Sequence, residues 1–159
     1  MPAEGLCLSA FLIVRDRTDP TKVLLGKMDP AGPWEELAAV DAERMERLRN
    51  SWVLPASQLL RYESPREAAA RLASELLDLP SLEIKGPRVE SEAYARGPDR
   101  GPEKHWDVHF LFEATLSEGD LRPNPIWSEL RFLRVSEVPR ALIGRGHADI
   151  LAFYGLEAR

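Results

Sequence analysis

The sequence predicts an α/β fold, and three stretches carry that expectation. Residues 6–14, LCLSAFLIV, are a near-continuous apolar run of strand length, the pattern of a buried strand. Residues 104–116 alternate, with Trp106, Val108, Phe110 and Phe112 on one side and His105, Asp107, His109 and Glu113 on the other, joined by Leu111. Residues 64–77, SPREAAARLASELL, repeat with helical rather than strand periodicity.

Taken in order, strand 6–14 runs into the turn RDRTDPT at 15–21, where Asp19-Pro20 is the clearest signal. KVLLGKM at 22–28 is the returning strand, with Gly26 at a bulge or a close approach. Lys27 near its end either faces a phosphate or is solvated. After the breakers from Asp29 to Gly32, residues 33–49 turn helical as one inserted segment or two short helices. Leu37, Ala38, Val40, Met45 and Leu48 give an irregular apolar stripe between charges that read as solvated. Trp34 and Trp52 flank this insertion, placed either to stack on a base at the mouth of a site or to pack against the sheet.

Residues 82–95 read as extended, with a strand near 89–94. Gly97-Pro98-Asp99-Arg100-Gly101-Pro102 cannot hold regular structure and reads as an exposed loop or hairpin tip. A loop at 117–125 precedes the strand IWSELRFLRV at 126–135. Ser136-Glu137-Val138-Pro139 then reads as the start of another helix, and residues 147–154 close the chain as a short one.

The helix at 64–77 is the most sharply specified element. Ser64 is an N-cap whose hydroxyl accepts from a free amide, Pro65 fits the first helical position, and Glu67 completes a capping box. The helix is expected to run to about Leu77, ahead of Pro80. Glu67, Arg71, Ser74, Glu75 and Asp78 share one arc; Ala68, Ala69, Leu72, Leu76 and Leu79 share the other.

Length and composition bound the function. A chain of 159 residues reads most simply as one domain, 1–159, able to bury a core. A net charge of -5 gives no basic footprint, so nucleic acid is not expected as a partner, whereas a mononucleotide needs only a few local donors. The single cysteine, Cys7, excludes an intrachain disulfide and reads as a core residue of a protein in a reducing compartment. No signal peptide is evident and no apolar run approaches ~20 residues, so no membrane association and a cytoplasmic location are expected. One metal reading comes from the residues alone: His105, Asp107 and His109 share a strand face, either as ligands of a transition metal or as a polar sheet face. His147, the other histidine, stands near a helix start.

Residues 57–79 resemble the Nudix box, G-x5-E-x7-R-E-U-x-E-E-x-G-U, with U a bulky aliphatic. Glu63 stands at the first glutamate, Arg71 follows at the box spacing, Glu75 is the first of the E-E pair, and Leu79 is the closing aliphatic. Leu54-Pro55-Ala56-Ser57 is similar to the family's L-P-G-G. The box is degenerate: Ser57 replaces the opening glycine, Leu72 and Leu76 replace two of three metal-binding glutamates, Ala73 is small for its position, and Asp78 replaces the closing glycine. With the order of elements over residues 6–154, the resemblance to the Nudix (MutT-like) superfamily implies a mixed sheet sandwiched between helices, with an insertion at about 33–50.

The resemblance also implies a chemistry. Family enzymes cleave a nucleoside diphosphate linked to another group by water attack at phosphorus, using magnesium or manganese. Such ions want near-octahedral oxygen ligands at ~2.0–2.1 Å, which carboxylates on the box helix supply. Here leucine supplies no oxygen at positions 72 and 76, and Glu75 is left alone. Glu63 and Arg71 are expected to form the family's salt bridge from loop to helix, and Glu129 compares with its additional acidic position. A homodimer is implied by the resemblance only. Two readings follow: a Nudix-fold protein whose hydrolysis is lost or strongly reduced, kept as a nucleotide- or phosphate-binding or protein-interaction module, or a working hydrolase of a nucleotide or phosphoanhydride with magnesium or manganese held by Glu75, Glu63 and Glu129.

Overall fold

The computed structural model describes residues 6–95, 104–144 and 146–159, without the side chains of 93–95 and 104–105. The loop expected at 97–102 and the side chain of His105 lie outside the described residues.

Six strands form one mixed sheet. β1 (Leu6–Asp16), β2 (Lys22–Met28), β3 (Ala56–Gln58), β4 (Lys85–Ala95), β5 (Lys104–Leu116) and β6 (Trp127–Arg134) lie in the order β4-β5-β1-β2-β6, with β3 beside β1. β1 and β5 run parallel from Leu6 opposite Trp106 to Asp16 opposite Leu116, and the remaining pairs are antiparallel. The apolar run at 6–14 is thus the sheet's centre: Phe11 to Val14 are buried with alternate side chains in cores on opposite faces.

β1 and β2 diverge. They are in register where Arg15 faces Val23, while Ser9, Ala10 and Phe11 pair with β3 instead. The segment before β3 is wedged into the fork, with a bridge from Val53 to Gly26 and a bond from the Leu12 amide to the Pro55 carbonyl at 2.9 Å. Two short helices, α1 (Trp34–Ala38) and α2 (Ala42–Leu48), lie between β2 and this wedge in the chain.

The box helix covers one face. α3 (Pro65–Arg71) places Ala68 and Ala69 in a core shared with Leu12, Phe112 and Trp127. The other face carries α4 (His147–Ala152), whose Ile150 and Leu151 pack on Phe11, Ile13 and Leu111. The helix expected to start at Ser136 is not formed. Two 3-10 turns, Val135–Glu137 and Arg140–Leu142, stand there. Their backbone is claimed from outside: the Arg140 amide donates to Arg159, and the Leu142 carbonyl accepts from Trp52 at 2.8 Å.

Candidate functional site

The start of α3 follows the expected capping chemistry. The Ser64 hydroxyl accepts from the Glu67 amide at 3.2 Å, and the Glu67 carboxylate accepts from the Ser64 amide at 2.8 Å. The regular helix stops at Arg71, short of the expected Leu77. Residues Leu72–Leu76 form a π turn instead. The chain then reverses at Asp78, whose φ of 56° is the left-handed conformation that asparagine and aspartate tolerate best after glycine.

Within the π turn the leucines face inward and the glutamate outward. Leu72 and Leu76 are 0% and 1% exposed, inside the core that holds Met28, Trp34 and Trp127, while Glu75 points to solvent. The Leu76 carbonyl accepts from Trp127 Nε1 at 2.7 Å and from Asn124 Nδ2 at 3.0 Å, so side chains from the approach to β6 satisfy the helix end.

Arg71 and Glu63 form the expected bridge. Nε donates to Oε1 at 2.7 Å and Nη2 to Oε2 at 2.9 Å, a two-pronged pair with both side chains nearly covered. Arg71 also donates to the Ser57 hydroxyl at 2.9 Å and to the Leu37 carbonyl, tying the box helix to β3 and α1. Burial disfavours the ionised Glu63, but bonds from Arg71 and the Leu60 amide and the Arg71 charge outweigh it and hold the carboxyl below its ordinary 4.5. Both Glu63 oxygens are therefore occupied by protein donors.

Several solved structures share the overall fold. The chain is similar to the MutT NUDIX hydrolase from Burkholderia pseudomallei, at 14% identity and a TM-score of 0.60 over 94% of this chain and 98% of that one. It is also similar to the NUDIX domain of Shewanella oneidensis NrtR complexed with ADP ribose, at 15% identity and a TM-score of 0.57 over 98% and 88%. A MutT/nudix family protein from Enterococcus faecalis aligns at 21% identity and a TM-score of 0.51 over 86% of this chain, which spans only 47% of that longer one. The chain has the Nudix fold. Neither a protein-family model nor a curated protein sequence matches it.

Within the Nudix fold, the residues read from the sequence as site candidates separate. Glu129 stands on the sheet face opposite the box helix, bound to Lys27 Nζ at 2.7 Å and near Arg131 at 3.4 Å. Lys27 and Arg131 both lie against the Trp52 ring, 4.6 and 5.0 Å from its centroid, and Trp52 belongs to the core beneath α4. Lys27 is thereby committed to Glu129 and Trp52 rather than aimed at an open phosphate site. Trp34 is 2% exposed, stacked edge-on with Trp127 at 4.7 Å and donating Nε1 to the Asp29 carbonyl at 2.8 Å. Of the two placements open to Trp34, packing is the one observed.

Magnesium and manganese do not fit this donor set. Glu75 is the one carboxylate among box positions 72, 75 and 76, Glu63 is engaged by Arg71 and the Leu60 amide, and Glu129 faces away. Among the described residues no three His, Cys, Asp or Glu side chains gather where they would hold a metal ion. His109 sits edge-on to Phe11 at 5.4 Å, and burial lowers its pKa.

Sequence reasoning missed three residues. His147, read only as standing near a helix start, also meets Phe11 edge-on at 5.4 Å, and its Nδ1 accepts from the Leu54 amide at 3.0 Å. Ser9 and Arg44 join it around a cavity of about 30 Å³ in the fork between β1 and β2. No periodicity signals this meeting, because the residues come from three distant segments. Among the described residues no helix is long and apolar enough to cross a membrane.

Proposed function

We propose that this protein is a Nudix-fold binding module in which metal-dependent pyrophosphohydrolysis is lost or strongly reduced, and which holds a nucleotide or another phosphate-bearing small molecule. The observation that carries this reading is the burial of Leu72 and Leu76. Two positions that need carboxylates for a metal are instead inside hydrocarbon, sealed by Trp34 and Trp127. Burial of each leucine contributes about 1.5–3 kcal/mol, so the fold has a reason to keep them. Burying glutamates in their place would cost several kcal/mol per charge without a compensating ion.

The Glu63–Arg71 bridge fits the same reading, since it shapes the loop between β3 and α3 without chemistry of its own. The NUDIX domain of NrtR, which shares the fold, was crystallised with ADP ribose, and a ligand of that class is what we propose here.

The test uses a library of nucleoside diphosphate compounds with magnesium or manganese. No phosphate release is expected, together with a rise in melting temperature on adding a nucleotide in metal-free buffer. Metal-dependent turnover abolished by Glu75→Gln would overturn the proposal in favour of a rebuilt metal site. Absence of both turnover and any nucleotide effect would move the function to a protein partner.

A further inference from the structure

We infer that the cavity in the fork between β1 and β2 is an anion-binding site, built from Arg44, His147 and Ser9, that receives a carboxylate or phosphate group of a small ligand.

The inference starts from donors that have no protein partner among the described residues. His147 is 7% exposed, and its Nδ1 accepts from the Leu54 amide, so the ring is neutral with its proton on Nε2. That Nε2–H has no protein acceptor among the described residues, and it is not sealed from solvent as His109 Nδ1 is. Ser9 is 8% exposed and lines the same cavity, and its hydroxyl also has no protein partner there. Two donors without a protein partner open onto one small cavity, where an oxyanion can replace water as their acceptor.

Charge defines that acceptor. Arg44 lines the cavity from α2, and its guanidinium has no ion pair among the described residues, although its charge is felt at both His147 and His109. Among the described residues no aspartate or glutamate lines the cavity, in a chain whose net charge is -5. A guanidinium fork and an imidazole N–H only donate and the Ser9 hydroxyl can donate as well, so the set suits an oxyanion better than a cation. Phe11 and Leu54 supply apolar walls, and Gln58 stands at the rim with its amide nitrogen 3.9 Å from Cys7 Sγ. The cavity has room for water, and the charged end of a ligand would take that place with its remainder projecting outward.

The site deepens the binding-module reading by naming the ligand's anionic group, yet it is tested separately, in EDTA and without turnover. Side-chain ¹H–¹⁵N spectra of the whole chain are titrated with inorganic phosphate and, in a second arm, with acetate, against sodium chloride at matched ionic strength. Saturable shifts of His147 Nε2–H and Arg44 Nε–H are expected. Phosphate binding tighter than acetate marks a phosphoryl group, and the reverse a carboxylate. Arg44→Gln is expected to weaken binding at least about tenfold, the usual worth of a charged hydrogen bond, with Arg44→Lys in between. Shifts no larger than those from chloride, or binding unchanged in Arg44→Gln, would overturn the site. Metal-dependent turnover alongside intact anion binding would sink the binding-module reading alone.

Discussion

Trp127 Nε1 donates to the Leu76 carbonyl at 2.7 Å, and this bond joins β6 to the end of the box helix across the space between Leu72, Leu76 and Trp34. The indole does two jobs. It satisfies a carbonyl that the π turn leaves open, and its ring fills the core beside two leucines where Nudix enzymes carry acids.

Leu72 and Leu76 are therefore expected to behave as core residues. Leu72→Ala and Leu76→Ala should each cost about 2–5 kcal/mol in denaturant unfolding. The double variant Leu72→Glu, Leu76→Glu restores the box letters but should unfold rather than bind manganese. A folded double variant with manganese-dependent hydrolysis would show that the site was only disarmed, not filled.

Gly26 makes room for the Trp127 ring. A Cβ at that position would stand 2.3 Å from Trp127 Cε3, and the buried ring cannot swing away without losing its bond to Leu76. Gly26→Ala should destabilise by about 1–3 kcal/mol and change the tryptophan fluorescence of the folded state. Wild-type stability in this variant would mean that the ring is free to move.

The Glu63–Arg71 bridge makes stability fall at acid pH. Glu63 ionises below its ordinary 4.5 in the fold, so the unfolded chain takes up the proton first as pH drops. The stabilisation is complete above 4.5 and is lost as pH falls through the lower folded value. Glu63→Gln should cost about 1.5–3 kcal/mol at neutral pH and flatten the decline below 4.5. Chemical denaturation against pH for the two proteins checks both parts.

His147 acts over a higher window. Burial, with the charge of Arg44 and the neighbouring His109, pushes its pKa from 6.5 down to about 3. The unfolded state binds this proton near 6.5 while the folded state refuses it, so stability is full above 6.5 and falls steadily towards 3. The loss across the window is on the order of 5 kcal/mol. His147→Asn, whose oxygen can still accept from Leu54, should cost stability at neutral pH but remove most of this slope.

Much of the fold is legible because it rests on local chemistry. Ser64, Pro65 and Glu67 define the start of α3 through contacts within one turn, and the strand at 104–116 follows its own alternation. The end of α3 was not legible. Arg71 is followed by a π turn rather than further α-helix, and the Leu76 carbonyl there is met by Trp127, 51 residues away, a partner that no local pattern announces. Arg44 sits among charges that read as solvated, and nothing nearby in the chain says that it lines one cavity with His147.

By itself the sequence determined the strands, the capped helix and the absence of two carboxylates from the Nudix box, since each is written in residues close together along the chain. Only the tertiary structure decided which side chains share a space. Glu129 shows why: the ladder between β2 and β6 shifts register between Lys27 and Met28, so Trp127 enters the core under the box helix while Glu129 turns to the opposite face. A one-residue slip exchanges the faces of a strand, and the packing on both sides, not the strand's own sequence, selects the register.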